Sequence, residues 1–573
     1  MAQIRIIDIK NFRSIKSLVW NPQPGINCLI GNGDGGKSTI LDAIDLCLGA
    51  RRTIQFTDAD FFELDISEPI IVTLTVGALP DNLKALDAYG LFLRGFDNAS
   101  KQVEDEPRAG LETVICLQLT VGADLEPVWG LVSDRAVAMG QERGLSWSDR
   151  LVLAPTRIGA LTDTNLSWRR GSVLNRISEE KADASMILLG AARSAREDFA
   201  KIAKAQLSDA LTKVKAVADS LGIGSGGDLR AELDTHSVTT GGGTISLHDD
   251  RGIPLRSMGI GSTRLLIAGL QKEAAQGTSI VLVDEVEHGL EPHRIIRFID
   301  ALGAKDTAPT LQDFMTSHSP IVVRELKVGQ LTIVRRSGPD HILSWLGDHA
   351  GMQGVVRTYP EALLAPNVLI CEGASEVGFT RGIDQWCVDA GGRSLHAAGT
   401  CLVDAKGVTN IIGTALAFLN LGYRTAILRD DDEQPDPAAE QTFAAEGGTV
   451  FKCRPGMKIE TELFDSLPVV AVGILLDLAL ESEEEQRIDD QLKSASSNSV
   501  TVPRVRGEIL TGSLSTEARA ALGSASGKKR TGWFKNVSTM EHIARHVVAP
   551  RAREVDVDFR QLFVRVRNWC IGA

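Results

Sequence analysis

Gly31-Asn-Gly-Asp-Gly-Gly-Lys-Ser-Thr39 follows the apolar run Ile26 to Ile30 and precedes the helical run Ile40 to Leu48. The nonapeptide satisfies GxxxxGK(S/T), and strand, glycine-rich turn and helix stand in the order that a phosphate-cradling loop requires. Small residues let backbone N–H groups curl around phosphates, and the helix N-terminus adds positive potential. In this reading Asn32, Gly33, Gly35, Gly36 and Thr39 shape the cradle, Lys37 reaches the outer phosphates and Ser38 ligates Mg2+. A glycine-rich turn without a ligand is the bland alternative, and the complete motif in its complete setting outweighs it.

Outward from the loop, Ser279-Ile-Val-Leu-Val-Asp-Glu-Val-Glu287 reads as a buried strand ending in acids. Asp284 is placed to hold the Mg2+ shell and Glu285 to orient an attacking water. Acids at a strand end are often mere surface, but the upstream P-loop gives these a role. Thr316-Ser-His-Ser-Pro320 follows the strand-like Leu311 to Met315 and puts His318 where a γ-phosphate sensor is expected.

Earlier, Ile4 to Ile9 alternates as a strand does. Ala184 to Leu221 carries helical spacing instead, with Leu207, Leu211, Val214, Ala218 and Leu221 on one face, and reads as a helical insertion. Gly222 to Gly227 and Gly241 to Gly243 punctuate the next segment, and strand-like runs return at Thr244 to Leu247 and Ile280 to Val283. After Pro366 the apolar run Val368 to Cys371 opens a second α/β region. The expected parts are 1–160, an insertion at 161–245, 246–360, and 366–573, with the main boundary at 360–366.

The bulk properties bound the rest. A chain of 573 residues has room for roughly four domains of average size. With 43% hydrophobic and 24% charged residues, disorder is a poor description. The eight cysteines, 28, 47, 116, 371, 387, 401, 453 and 570, form no CxxC pair and read as reduced thiols of a cytoplasmic protein. Met1 to Lys10 has no signal-peptide pattern, and the longest apolar stretch, Leu467 to Leu480, is too short for a bilayer and holds Asp477, so no membrane is expected. The net charge of -13 argues against coating nucleic acid, yet Thr501 to Ala573 holds 13 Lys or Arg against 6 Asp or Glu. That basic end can meet phosphates or be a solvated surface; charge counting weighs the two equally.

Ile9-Lys-Asn-Phe-Arg13, the P-loop, the DExE strand end and Ser-His-Ser-Pro occur in the order found in ABC ATPases of the SMC, RecF and OLD type, and residues 1 to 350 resemble that group. The resemblance implies that Arg13 lies near the nucleotide, that Gln55 serves as the Q-loop residue, and that a signature segment of one subunit completes the site of another. Ser257-Met-Gly-Ile-Gly-Ser262, with Gly259 and Gly261, stands in the signature position but departs from LSGGQ. A plain glycine-rich turn before a helix is its alternative. A homodimer or higher homo-oligomer follows from the resemblance, with the insertion as the dimerisation element.

A second cluster is acidic. Val368-Leu-Ile-Cys-Glu372-Gly-Ala-Ser-Glu376 ends a strand in one acid and places another on the following helix. Thr425-Ala-Ile-Leu-Arg-Asp430-Asp-Asp432 ends another strand, with Asp430 and Asp432 at alternate positions, and Lys458-Ile-Glu460-Thr-Glu462 adds a third acidic element. Several oxygen ligands at strand ends are what Mg2+ or Mn2+ requires, and like charges so gathered repel without a cation. Each run alone is more often a solvated turn. EGxxE followed by DxD resembles the TOPRIM domain, and after an ABC module it resembles the OLD nucleases, including the Gabija nuclease subunit. The implied fold is α/β throughout: an ABC-type P-loop ATPase split by a helical dimerisation insertion, then a C-terminal TOPRIM α/β domain with a helical elaboration.

Carried over, Glu372, Glu376, Asp430, Asp432 and one of Glu460 or Glu462 bind one or two metals, and Lys529, Arg530 or Lys535, in Gly527-Lys-Lys-Arg-Thr-Gly-Trp-Phe-Lys535, neutralises phosphate charge. The resemblance implies an ATP-controlled DNA endonuclease in bacterial or phage-related defence, alongside a UvrD-like helicase. Against it stand a non-catalytic DNA clamp and a TOPRIM topoisomerase; the latter needs a tyrosine nucleophile, and only Tyr89, Tyr359 and Tyr423 exist.

Overall fold

Ile26-Asn-Cys-Leu-Ile30 and Ile280-Val-Leu-Val283 are buried at every position, as strands covered on both faces must be. The computed structural model describes residues 2–50, 54–159, 255–273, 280–349, 352–528 and 531–572, with single positions 194, 198, 212 and 250. Apart from the single positions 194, 198 and 212, the expected insertion at 161–245, with Ala184 to Leu221, Gly222 to Gly227 and Gly241 to Gly243, lies outside these residues, as do Thr244 to Leu247, Lys529 and Arg530. Of the described residues, those in Met1–Leu29, Asp34–Leu326 and Gln330–Leu343 form one compact unit, and those in Ile30–Gly33, Lys327–Gly329 and Ser344–Ala573 a second.

The strands lying wholly or mainly in the first unit are β1 (Gln3–Phe12), β2 (Ile15–Trp20), β3 (Ile26–Ile30), β4 (Ile70–Gly77), β5 (Leu93–Asp97), β6 (Gln102–Glu104), β7 (Glu112–Val121), β8 (Pro127–Leu131), β9 (Thr156–Ile158), β10 (Ile280–Val283), β11 (Gln312–Thr316), β12 (Leu331–Ser337) and β13 (Asp340–Trp345). One sheet runs β2-β1-β4-β7-β5-β6 with β8 beside β7, all antiparallel. Its register on β1 shifts between Ile4 and Ile6, a bulge that changes the phase of the alternation, so Ile4, Ile7 and Ile9 are buried while Ile6 is only partly covered. These residues pack with Val72, Leu74, Leu117 and Leu119 in the core of the unit.

The other sheet, β13-β12-β3-β11-β10-β9, contains a parallel set from β3 to β9. Parallel strands present their carboxyl ends along one edge, where ligands of open α/β sheets bind. That edge carries the glycine-rich loop after β3, Asp284 after β10 and Ser317-His318 after β11. Helix Lys37–Leu48 packs back on the sheet through Ile40, Leu41, Ala43, Ile44, Cys47 and Leu48.

In the second unit β14 (Asn367–Cys371), β15 (Thr400–Asp404), β16 (Arg424–Arg429) and β17 (Thr449–Lys452) form a wholly parallel sheet in the order β15-β14-β16-β17. Helices Ala374–Asp389, Val408–Asn420 and Pro437–Ala445 make the crossovers, and helices from Ile459–Ser466 to Val557–Ile571 come after them. Helix Val537–Ile543 packs on helix Ala374–Asp389 where Gly378 and Gly382 leave room: a Cβ there would sit 2.4 Å from the Val537 carbonyl oxygen or 2.3 Å from that of Glu541. All eight cysteines are free thiols. Among the described residues no helix is long and apolar enough to cross a membrane; Leu467 to Leu480 lies mostly in the helix Val469–Ser482, which buries Ala471, Val472, Leu475, Leu476 and Ala479.

Candidate functional site

The P-loop helix begins at Gly36, whose φ of 80° suits glycine and whose missing side chain admits Ser14 and the buried His341. Lys37 is buried just inside the helix; desolvation pulls its pKa down, opposed by Asp34, Cys28, Asp284 and Glu287. Ser38 Oγ donates to Asp284 Oδ1 at 3.0 Å, and Thr316 Oγ1 donates to the same oxygen at 2.7 Å. Thr39 Oγ1 lies 3.4 Å from Ser14 Oγ. Asn32 and Gly33 are exposed, and Gly35 is buried. Two oxygen donors in contact beside a buried lysine fit a divalent ion carried in with nucleotide phosphates, where Ser38 and Asp284 would hold it.

Glu285 takes a left-handed backbone, φ 47°, which a residue with a Cβ holds only under constraint. Its N–H donates to Thr316 Oγ1 at 2.8 Å, and its carbonyl accepts from Arg264 at 3.0 Å. Arg264 is fully buried beneath this turn, also binds the carbonyls of Asp284 and His288, and lies over the Phe298 ring. Desolvation lowers its pKa to about 10 against the pull of Glu287, Asp284 and Glu285. Glu287 accepts from Ser317 Oγ at 2.8 Å and from the His318 N–H at 2.7 Å, so it shapes the turn that presents His318. Burial and then the Lys37 charge press the His318 pKa below its ordinary value, which favours the neutral imidazole at pH 7.

Arg13 also adopts a left-handed φ of 49° and pairs with Asp42 and, at 2.9 Å, with Asp60. Gln55 is exposed in the loop before the Asp58–Asp60 turn. Gly261 meets the loop beyond β10: a Cβ on it would lie 2.1 Å from the Gly289 carbonyl oxygen, whereas a Cβ on Gly259 would meet nothing within 4 Å. Within this chain the role of Gly261 is close packing.

In the second unit β14 and β16 are neighbours in register, Cys371 opposite Leu428, and this brings Glu372 to Asp430. The Asp430 N–H donates to Glu372 Oε2 at 3.1 Å. Glu376 accepts from the Gly373 N–H at 2.8 Å, and Asp430 Oδ1 from the Ile459 N–H at 2.9 Å. Glu460 is fully buried; its Oε1 accepts from Ser375 Oγ at 2.7 Å and faces Lys535 Nζ at 2.8 Å, while its Oε2 has no protein partner. Burial, then repulsion from Glu460, raises the Glu376 pKa to about 8. Burial, then Glu376, Glu460 and Glu372, lifts Asp430 well above the carboxylate range, and burial raises Glu372 as well. Burial works against the Lys535 charge, but Glu460, Asp430 and Glu376 outweigh it and hold that pKa high.

Asp432 stands apart from this buried group: it is exposed and pairs with Lys458 at 2.9 Å, though its charge still raises Glu372. Glu462, although buried, is drawn elsewhere, since Arg454 binds it through its backbone N–H and its guanidinium, both at 2.7 Å. The acidic pair Glu460 and Glu462 thus divides, because one helical turn points them at different neighbours. Lys535 follows Trp533 and Phe534, which anchor its segment by packing against Phe464. Among the described residues no three His, Cys, Asp or Glu side chains converge as a metal-ligand group; each carboxylate is tied to a nearby donor instead. The orphaned Glu460 oxygen and the raised carboxyls nevertheless fit a hard divalent cation, because protons stand where such charge is lacking.

The three phenols are engaged: Tyr89 with Asp149, Tyr359 with the Asp404 carbonyl at 2.8 Å, and Tyr423 with the Leu363 carbonyl at 2.7 Å. Sequence reading missed Arg157 and Arg264, which lie in no recognisable motif, and assigned no role to Ser375, Lys458, Thr316 or Glu287, which stand within the quoted motifs.

A family model described as "AAA domain, putative AbiEii toxin, Type IV TA system" matches residues 26–324. Solved structures similar to the chain include an SMC head bound to the C-terminal winged-helix domain of ScpA, at 16% identity over 60% of this chain and 96% of that chain, with a TM-score of 0.34. An SMC head with an extended coiled coil bound to the C-terminal domain of ScpA, derived from Pyrococcus furiosus, has 15% identity over 62% and 100% of the two chains and a TM-score of 0.37. The SMC head domain from Thermotoga maritima has 14% identity over 60% and 98%, with a TM-score of 0.29. No curated protein matches the chain. The matched span exceeds half the chain, so the protein belongs to this AAA-domain family and carries an ATP-binding ATPase domain.

Proposed function

We propose that the protein is an ATP-regulated, metal-dependent DNA endonuclease of the OLD kind, its second unit acting as a TOPRIM nuclease. The observation that carries this reading is the group Glu372 and Asp430 at adjacent parallel strand ends with Glu376 and Glu460 on the neighbouring helices, all but the half-buried Glu372 fully covered, with Lys535 as its close cation. Bound there, one or two Mg2+ or Mn2+ ions supply activation of water and stabilisation of the leaving oxygen. Glu372, Glu376, Asp430 and Glu460 would hold them, with Asp432 at the exposed margin. Ser375 orients Glu460, and Lys535 neutralises charge on the scissile phosphate. Phosphodiester hydrolysis is downhill, so ATP acts as a switch between two conformations rather than as fuel. DNA is the substrate, a homodimer or higher homo-oligomer is the working form, and a UvrD-like helicase is the expected companion in defence. A defence role accords with a family description that names a toxin.

Two observations favour a non-catalytic DNA clamp instead: the family match stops at residue 324, and the described carboxylates do not converge as a metal-ligand group. Cleavage of supercoiled and linear DNA with Mg2+ or Mn2+, with and without ATP, separates the two readings. Wild type is compared with Glu372→Ala, Asp430→Ala and Lys37→Ala. The nuclease reading expects cutting that the acid variants abolish and that Lys37→Ala alters only in its nucleotide response. Absence of acid-dependent cutting under every condition leaves the clamp.

A further inference from the structure

Arg157 lies on β9, the edge strand beside β10, opposite Leu282. From there its guanidinium reaches three acids on two elements. Nη1 is 2.6 Å from Asp42 Oδ1 and 3.2 Å from Asp45 Oδ2, both on the P-loop helix, and Nη2 is 3.7 Å from Asp284 Oδ2. Asp284 is therefore engaged on both sides, with Ser38 and Thr316 on Oδ1 and Arg157 facing Oδ2. Asp42 is shared in turn, because Arg13 pairs with its other oxygen. Arg13, Asp42, Arg157 and Asp284 form one alternating chain of charge from the β1–β2 turn to the end of β10.

We propose that Arg157 is a positioning residue of the ATPase, a resident counter-cation of Asp284 that sets the divalent-cation concentration at which Asp284 joins the Mg2+ shell. The inference rests on the ATPase domain and is independent of the nuclease reading. A guanidinium facing Asp284 Oδ2 competes for the negative charge that Mg2+ needs, and like-charge repulsion in a half-buried setting exceeds its value in water several-fold. Ser38 and Thr316 still orient the carboxylate when Arg157 is replaced. Loss of the guanidinium thus removes repulsion without releasing Asp284. A mere strut between helix and strand would carry no dependence on cation concentration.

The test measures binding of a fluorescent ATP analogue to the full chain across a Mg2+ titration, with thermal melting as the control for folding. Arg157→Gln is expected to lower the Mg2+ midpoint by roughly fivefold or more, and Arg157→Lys, which keeps the charge, to stay within about twofold of wild type. An unchanged or raised midpoint in a stably folded Arg157→Gln overturns the proposal. Should that variant melt early, Arg157→Met, which keeps the aliphatic stem, repeats the titration. Early melting of both variants with an unmoved midpoint assigns Arg157 the strut role, and the proposal falls.

Discussion

At the end of β10, Asp284 is met by two hydroxyl donors and a guanidinium; around the ends of β14 and β16, three buried carboxyls and the half-buried Glu372 share one lysine, the Ser375 hydroxyl and a few backbone N–H groups. Both are acid-rich strand ends of parallel sheets, yet their electrostatics differ. Where side-chain cations and donors are supplied locally, the acid keeps its charge partners without a metal. Where they are too few, burial and mutual repulsion raise the pKa of Glu372, Glu376 and Asp430 and so favour their protonated forms. The second arrangement has far more to gain from a divalent ion, because binding would replace those protons and relieve the repulsion in one step.

The contrast is broken or sharpened by four results. The largest effect is expected from Lys37→Ala, which removes the buried P-loop cation and should reduce ATP hydrolysis by roughly 100-fold or more. Metal-dependent DNA cutting should survive in that variant, and its loss together with ATP hydrolysis would show the two sites to be inseparable. Asp430→Asn and Glu376→Gln should lower metal-dependent cutting by roughly 100-fold while raising the metal-free melting temperature, since each isostere removes a repelled buried acid. A lowered melting temperature would mean that the acids are held as structural partners.

A smaller effect follows from pH. Native Glu376 keeps its proton up to about pH 8, whereas an unfolded glutamate releases it near its ordinary value of 4.5. The unfolded chain therefore binds fewer protons through this window, so metal-free stability should fall as pH rises from about 4.5 to about 8. Scanning calorimetry in EDTA checks the direction, and added Mn2+ should raise the transition more at pH 8 than at pH 6. A flat profile would remove the electrostatic contrast. Smallest are the packing variants: Gly382→Ala against the Glu541 carbonyl and Gly261→Ala against the Gly289 carbonyl should each cost about 1–3 kcal/mol, seen in denaturant unfolding. Gly382→Ala should leave ATP binding at wild-type strength, and Gly261→Ala should leave metal binding by the carboxylates unchanged.

Contiguous chemistry is legible in the chain itself. GxxxxGK(S/T) encodes its own geometry, because the loop glycines, the lysine and the adjoining helix are local in the chain, and β3, β10, β14 and β16 announce themselves as apolar runs ending in turns or acids. The antiparallel sheet of β4 to β8 carries no such motif, and the bulge in β1 that turns Ile7 inward in place of Ile6 is invisible to simple alternation. Spacing placed Glu460 and Glu462 on equal terms; only the packing of helix Ile459–Ser466 gave one to Lys535 and the other to Arg454. Arg157 and Arg264 acquire meaning solely from strands and turns distant in sequence. Local backbone preference and hydrophobic pattern act over a few residues and can be read directly, whereas charge pairing depends on which distant side chains the fold brings within a few ångströms, and that was decided by the tertiary structure alone.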